Sequence, residues 1–265
     1  MRVEFENVSF AYRKGEPVLR NISFSIAASK TLSIVGCSGC GKSSLLRILC
    51  GLLPNSPEHV LAGKVLIDSL DITTELSAWQ AQRSKGVLGF MFQEPCLLPY
   101  LSLEDNIHLP LKILDQSADG ENLVADYLKL TGLEEARDKL PKQLSGGMKA
   151  RTALARTFIS RPKLLLLDEP FSALDIVWKA RLYDELLKLR NTLQSTVVLV
   201  THDIFEAMYF SDTVLVLGDN HSIIETVAIL NWRDTLTFND VINTYHNDFV
   251  RIKQMLEYNR KGTEA

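Results

Sequence analysis

Thr31-Leu32-Ser33-Ile34-Val35-Gly36-Cys37-Ser38-Gly39-Cys40-Gly41-Lys42-Ser43-Ser44 is the stretch on which the fold turns. Thr31–Val35 is a short apolar run of the kind that makes a strand buried on both faces, and it leads directly into a glycine-rich turn. Beyond the turn, Leu45, Leu46, Leu49 and Leu53 share one helical face, and Gly51–Pro54 ends the pattern. Residues 36–43 fit G-x-x-x-x-G-K-[ST], placed after a buried strand and opening a helix, which is the context the motif requires. The glycines let successive backbone N–H groups converge on an anion, and the helix adds the positive end of its dipole. Lys42 is expected to reach the β- and γ-phosphates of a nucleotide, and the Ser43 hydroxyl to ligate Mg²⁺.

Working outward, Val3–Phe10 and Ile22–Ile26 read as strands of an antiparallel patch, and Lys64–Ile67 and Val87–Phe92 as further strands. From Glu94 to Gln143 no β-rich run occurs, and spacings such as Leu123, Tyr127 and Leu130 predict a helical insertion. The α/β alternation resumes with the strand Lys163–Leu167 and a helix carrying Leu182, Leu186, Leu189 and Leu193. After it come the strand Thr196–Val200, a short helix Ile204–Phe210 and the strand Thr213–Leu217. A strand around Ile223–Ile229 and a helix with Val241, Tyr245, Phe249, Ile252 and Leu256 on one face complete the chain, with Asn259–Ala265 expected to fray.

Two further segments carry chemistry. Leu164–Leu167 runs into Asp168-Glu169-Pro170, so one carboxylate at the end of a buried strand is placed to hold magnesium through water. Its neighbour is placed to polarise an attacking water. Asp168 takes the first role and Glu169 the second. In Leu144-Ser145-Gly146-Gly147-Met148, Ser145 caps a helix and the glycines leave N–H groups open to an anion. One phosphate loop already surrounds a nucleotide's phosphates, so a second helix start of this kind predicts a second subunit facing the same nucleotide.

The bulk properties narrow the partners. The chain has 265 residues, 46% hydrophobic and 23% charged, an ordinary globular balance. No stretch approaches the roughly 18 to 20 apolar residues that a membrane helix needs. Met1–Phe5 shows no basic region followed by an apolar core, so no secretory signal is expected, and four cysteines (Cys37, Cys40, Cys50 and Cys96) fit a reducing compartment better than a disulfide framework. A net charge of −3 with interspersed signs provides no footprint for nucleic acid.

Taken in order from about residue 2 to 218, these elements resemble an ABC-transporter nucleotide-binding subunit. That resemblance implies an α/β P-loop NTPase core with an antiparallel β flank and an all-helical subdomain, here about residues 94–160, with 219–265 as a C-terminal extension. It implies MgATP binding by Gly36, Cys37, Ser38, Gly39, Cys40, Gly41, Lys42, Ser43 and Ser44, and hydrolysis coupled to transport. Tyr12 resembles the aromatic that stacks on adenine, the alternative being a tyrosine that packs the flank. Gln93 resembles the glutamine that contacts magnesium or the attacking water, and His202 the histidine at the γ-phosphate. Ser145, Gly146 and Gly147 resemble the signature that contacts ATP across a dimer of two copies. Ser172–Asp175 resembles the loop crossing that interface, although Asp175 equally suits a helix cap.

Met148 stands where glutamine is commonest, and Gln93–Ser102 with Leu103–Ile107 closely resembles importers of nitrate, sulfonates and taurine. The same Gln93–Ser102 segment is where a membrane permease is expected to dock, with Cys96–Leu101 either a socket for it or core of the helical insertion. A periplasmic or extracellular solute-binding protein is a further expected partner, and the cytoplasmic face of the membrane the expected place. The alternatives are a lipid-trafficking or export ABC system and a non-transport ABC ATPase. Cys37 and Cys40 form a C-x-x-C without a second ligand pair, so zinc is not expected. At a helix N-terminus, Cys40 is a candidate for a low-pKa thiol whose alkylation ATP would block.

Overall fold

The computed structural model describes residues 1–53, 59–116, 120–229 and 246–262, and the side chains within them except those of 176, 180 and 258–262. The chain divides into two compact units, Met1–Trp79 with Thr196–Ala265, and Gln80–Ser195.

In the first unit, β1 (Val3–Arg13) and β2 (Glu16–Ile26) form an antiparallel hairpin. The second strand begins six residues before the alternation at Ile22, because Arg13 pairs with Glu16 across a tight turn where Gly15 takes φ 94. Phe5 and Phe24 face each other in register and stack at 4.5 Å, the kind of cross-strand pair that stabilises an antiparallel ladder. β4 (Val60–Ile67) pairs on the other edge of β1, and the short β5 (Leu70–Asp71) pairs with β4, giving the order β2-β1-β4-β5.

β3 (Thr31–Gly36) is buried at every residue and lies parallel between β8 (Thr196–Val200) and β9 (Thr213–Leu217). A strand covered on both faces favours apolar and β-branched residues, which dominate Thr31–Val35 and Thr196–Val200, and the buried Ser33 hydroxyl is paired with that of Ser211. β10 (Ile223–Ala228) adds antiparallel to β9. From β3 the chain enters α1 (Lys42–Cys50), which stops at Gly51 in the left-handed conformation, its N–H returning to the carbonyls of Arg47 and Ile48. α7 (Ile204–Phe210) connects β8 to β9. α8 (His246–Gly262) buries Ile252 and ties Arg251 to Glu225 of β10 in an ion pair, with Phe249 and Leu256 half-buried. Val241 and Tyr245, expected on the same face, lie outside the described residues, as do 263–265.

In the second unit, β6 (Leu88–Met91) and β7 (Leu164–Asp168) run parallel, Leu88 opposite Leu164 and Met91 opposite Leu167. β6 is shorter than Val87–Phe92 because the Val87 carbonyl accepts from the N–H groups of Lys163 and Leu164 rather than continuing the ladder. Between the two strands the described chain is helical: α3 (Leu103–Ile113), α4 (Gly120–Thr131), two 3₁₀ turns and α5 (Gly146–Phe158). Leu103, Ile107 and Leu111 of α3 repeat every fourth residue and are buried. α6 (Ile176–Leu193) follows β7. α2 (Leu76–Arg83) lies at the boundary, and its Trp79 is fully buried in the first unit, donating to the Leu49 carbonyl at 2.9 Å.

Candidate functional site

The loop from Gly36 to Lys42 is held by contacts that only glycine permits. A side chain at Gly36 would place Cβ 2.5 Å from the Leu217 carbonyl oxygen, and one at Gly41 would place it 2.5 Å from that of Val18. Gly41 also takes φ 110 to open α1, a backbone conformation costly for any residue with a Cβ. Ser38 and Gly39 form an exposed crest, whereas Cys40, Lys42 and Ser44 are buried and Ser43 is half-buried. The Lys42 ammonium turns back onto the loop, donating to the Gly36 carbonyl at 2.9 Å and the Cys37 carbonyl at 2.6 Å. Its charge therefore sits inside the curve of the loop, already partnered by carbonyl dipoles.

Burial pushes the Cys40 thiol up to about 12, outweighing the lowering influence of the Lys42 ammonium. This overturns the expectation of a low-pKa Cys40. The thiol is 1% exposed and stays protonated at neutral pH, because its desolvation exceeds what the helix terminus and one cation return.

Tyr12 follows β1's apolar core and is half-buried. Its ring meets Phe10 edge-on at 4.8 Å, and its hydroxyl shares a 3.1 Å hydrogen bond with Ser44 and accepts from Arg47 at 3.2 Å. At the end of β8, exposed His202 lies between two locked residues. Thr201 donates its hydroxyl to buried Glu206 at 2.6 Å, and the Asp203 carboxylate caps α7 by accepting from the N–H groups of Phe205 and Glu206.

The second unit holds the acidic and signature segments. Asp168 ends β7 and is 8% exposed. Glu169 takes φ 47, a left-handed conformation unusual for a non-glycine residue. Its carbonyl accepts from the Ser172 hydroxyl at 3.0 Å, and its carboxylate accepts from the Gln93 amide at 3.3 Å. Glutamine and glutamate, 76 residues apart, thus meet at the ends of β6 and β7. Ser145 caps α5 by accepting from the Met148 N–H at 3.2 Å, and Ser145 and Gly146 are exposed. Asp175 caps α6, accepting from the N–H groups of Val177 and Trp178.

The family described as ABC transporter matches residues 19–172. The chain belongs to the ABC transporter family. It is the ATP-binding and ATP-hydrolysing subunit of an ABC transporter, with the P-loop ABC ATPase fold. Over 218 residues it is 41% identical to the aliphatic sulfonates import ATP-binding protein SsuB 1 of Pseudomonas syringae pv. syringae, spanning 82% of this chain and 80% of that one. A second relative, aliphatic sulfonates import ATP-binding protein SsuB 1 of Xanthomonas axonopodis pv. citri, is 43% identical over 210 residues, 76% of this chain and 75% of its own. A dimeric ATP-binding cassette solved in a post-hydrolysis state with ADP and Pi is 32% identical, with a TM-score of 0.75 over 86% of this chain and 98% of the other.

Sequence reading missed the residues that brace this ABC ATPase from behind. Arg151 of α5 is buried and donates to the carbonyls of Thr131, at 2.6 Å, and Gly132, at 3.3 Å. Its guanidinium lies 3.8 Å from the centre of the Trp178 ring at the start of α6. Gly132 has no alternative there, since a Cβ would stand 2.1 Å from the Trp178 ring. Arg156, also on α5, donates to the carbonyls of Pro95 at 2.7 Å and Cys96 at 3.0 Å, tying the segment after Gln93 to the signature helix. Burial lowers the pKa of both arginines. Each lies on α5 at a spacing any amphipathic helix would show, so nothing local announced its partner.

No helix among the described residues is long and apolar enough to cross a membrane. The Gln93–Ser102 segment is organised by one side chain. Asn106, fully buried, accepts from the Leu98 N–H at 2.8 Å and donates to the carbonyls of Leu98, Leu101 and Ser102. The turn it closes presents Tyr100 at 73% exposure, with Leu97 and Leu98 half-buried beneath.

Proposed function

We propose that this subunit powers import of a small organic anion of the aliphatic sulfonate class, by closing around MgATP as a dimer and driving permease subunits docked at Gln93–Ser102. The class comes from relatives named as aliphatic sulfonate importers, which favours import over the lipid-trafficking and export alternatives. The subunit then works at the cytoplasmic face of the membrane, beside a partner that binds the solute outside. Residues 1–218 form the ATPase domain, about 94–160 its helical subdomain, and 219–265 an extension that covers the core.

The donor set suits magnesium: a half-buried hydroxyl at the first turn of α1, Ser43, the carboxylate of Asp168 acting through water, and the amide of Gln93. Bound there, the ion would neutralise charge shared by the β- and γ-phosphates. Lys42 leaves the Gly36 and Cys37 carbonyls for those phosphates, while the backbone of Cys37–Ser44 supplies N–H donors. Tyr12 stacks on the adenine. The Glu169 carboxylate orients and polarises the attacking water, with Gln93 keeping that carboxylate in place through their hydrogen bond. His202 contacts the γ-phosphate from a loop whose flanks, Thr201 and Asp203, are both locked. Ser145, Gly146, Gly147 and Asp175 act on the ATP of the partner copy.

The observation that carries the shared-site reading is that Ser145 and Gly146 are exposed and a Cβ at Gly146 would meet nothing within 4 Å. A helix N-terminus left this open has room for an anion presented from outside the chain. Hydrolysis measured against protein concentration tests it, with Glu169→Gln alongside. Activity should rise more steeply than linearly, and Glu169→Gln should lose about 10²–10⁴-fold in turnover while accumulating as an ATP-bound dimer in size-exclusion chromatography. Activity strictly linear down to dilute monomer would refute the assignment of residues 145–147 to a second copy's ATP.

A further inference from the structure

The phosphate loop contains two thiols that the nucleotide chemistry does not use. Cys37 is half-exposed where the loop leaves β3, and Cys40 is buried just before α1. The Lys42 ammonium spans them, 2.6 Å from the Cys37 carbonyl oxygen and 3.9 Å from the Cys40 sulfur. The Cys37 thiol lies near enough to the Cys40 thiol to add to the rise in its pKa. All four cysteines are free, and the other two lie elsewhere, Cys50 at the far end of α1 and Cys96 after Gln93. Two neighbouring thiols three residues apart on one tight loop, both gathered about the Lys42 ammonium, one half-exposed and one sheltered, are the arrangement of an oxidisable cysteine beside its resolving partner.

We propose that Cys37 and Cys40 are a reversible peroxide-sensitive pair whose disulfide closes the phosphate loop to nucleotide. Hydrogen peroxide oxidises the half-exposed Cys37 to a sulfenic acid, with release of one water. Cys40 then attacks that sulfur as it gives up its proton, an S–S bond forms, and the sulfenic hydroxyl leaves with that proton as a second water. Two thiols lose two electrons and two protons, and peroxide takes up both. A dithiol reductant reverses the reaction.

Closure would distort the loop at one end only. The Cys40 sulfur cannot move towards the strand, because it already stands 2.7 Å from where a Gly36 Cβ would be, and the Cys40 carbonyl lies 3.4 Å from Nδ1 of His221 on the β9–β10 turn. Cys37 must therefore come to Cys40, drawing the exposed crest of Ser38 and Gly39 inward. The narrow Cα separation a disulfide demands then fixes this shape, and N–H groups that converged on phosphate are turned away from it. The loss of ATP binding rests on the reading of residues 36–44 as the phosphate site, whereas the disulfide itself does not.

The test keeps those two apart. Reduced full-length protein is treated with hydrogen peroxide, remaining thiols are alkylated, and trypsin is used to release Thr31–Lys42, the peptide that holds both cysteines and no other. In parallel, binding of a fluorescent ATP analogue is titrated before oxidation, after it, and after dithiothreitol. The expected result is a peptide two hydrogens lighter and unalkylated, with affinity reduced about tenfold or more and both changes reversed by dithiothreitol. Prior MgATP should slow the reaction. In Cys40→Ser, the disulfide should be replaced by Cys37 oxidised past the sulfenic stage, which dithiothreitol does not reverse. Recovery of Thr31–Lys42 with both thiols alkylated, or a disulfide that leaves analogue affinity unchanged, would overturn the proposal. Reduced protein that fails to bind the analogue would instead refute the phosphate-loop assignment, while the peptide mass still decides whether the pair closes.

Discussion

Two glycine-bearing helix starts, those of α1 and α5, are built in opposite ways. At Gly36 and Gly41 a Cβ would fall 2.5 Å from a carbonyl oxygen of β9 or β2, and Gly41 holds a φ that few residues tolerate. At Gly146 a side chain would meet empty space, and at Gly147 the nearest atom, the Ala173 carbonyl oxygen, would stand at 3.4 Å. Glycine in the first place completes a rigid cradle, while in the second it keeps a surface bare. On the function proposed above, the loop whose shape is dictated from within holds phosphates alone, whereas the bare helix start acts only when a second copy brings its nucleotide.

Substitutions can break this contrast, and on stability they fall in a clear order. Gly41→Ala should cost the most, about 3 kcal/mol from the left-handed backbone and the overlap with Val18 and Leu19 together, measured by denaturant unfolding. Trp178→Ala comes next, at about 2 kcal/mol. It removes a half-buried indole and leaves the Arg151 guanidinium without its aromatic face. The same protein should lose hydrolysis with little change in ATP affinity, since only α5 and α6, not the phosphate loop, are loosened. Gly146→Ala should change stability least, within about 0.5 kcal/mol, since alanine is favoured over glycine in a helix and has room. Its hydrolysis should nevertheless fall, with the steep dependence on protein concentration lost. If Gly146→Ala proves as destabilising as Gly41→Ala, the two helix starts are not different in kind.

Legibility in the sequence followed the range of the interactions. The strand–loop–helix at residues 31–53, the carboxylates after β7 and the caps at Ser145 and Asp175 are readable because each depends on neighbours along the chain. Short buried strands such as Thr196–Val200 were equally plain, since burial on both faces requires an unbroken apolar run. Arg151 on Trp178, Arg156 on Pro95 and Cys96, and Asn106 within its turn were not readable, because their partners lie on other elements and the polar residues themselves suit any solvated helix. Cys40 shows the same limit in reverse. The helix terminus visible in the sequence argued for an acidic thiol, but the enclosure that decides its proton is built from β3 and from strands distant along the chain.

Asn106 commits its side-chain amide to the turn between Leu98 and Ser102, and Arg156 grips the carbonyls just upstream of it. The exposed ring of Tyr100 consequently stands on a mount with very little give. A push delivered there would not be absorbed by bending of the turn. It would travel through Arg156 into α5, as a stiff crank passes load to its shaft, and arrive at Ser145, the opposite end of the same helix.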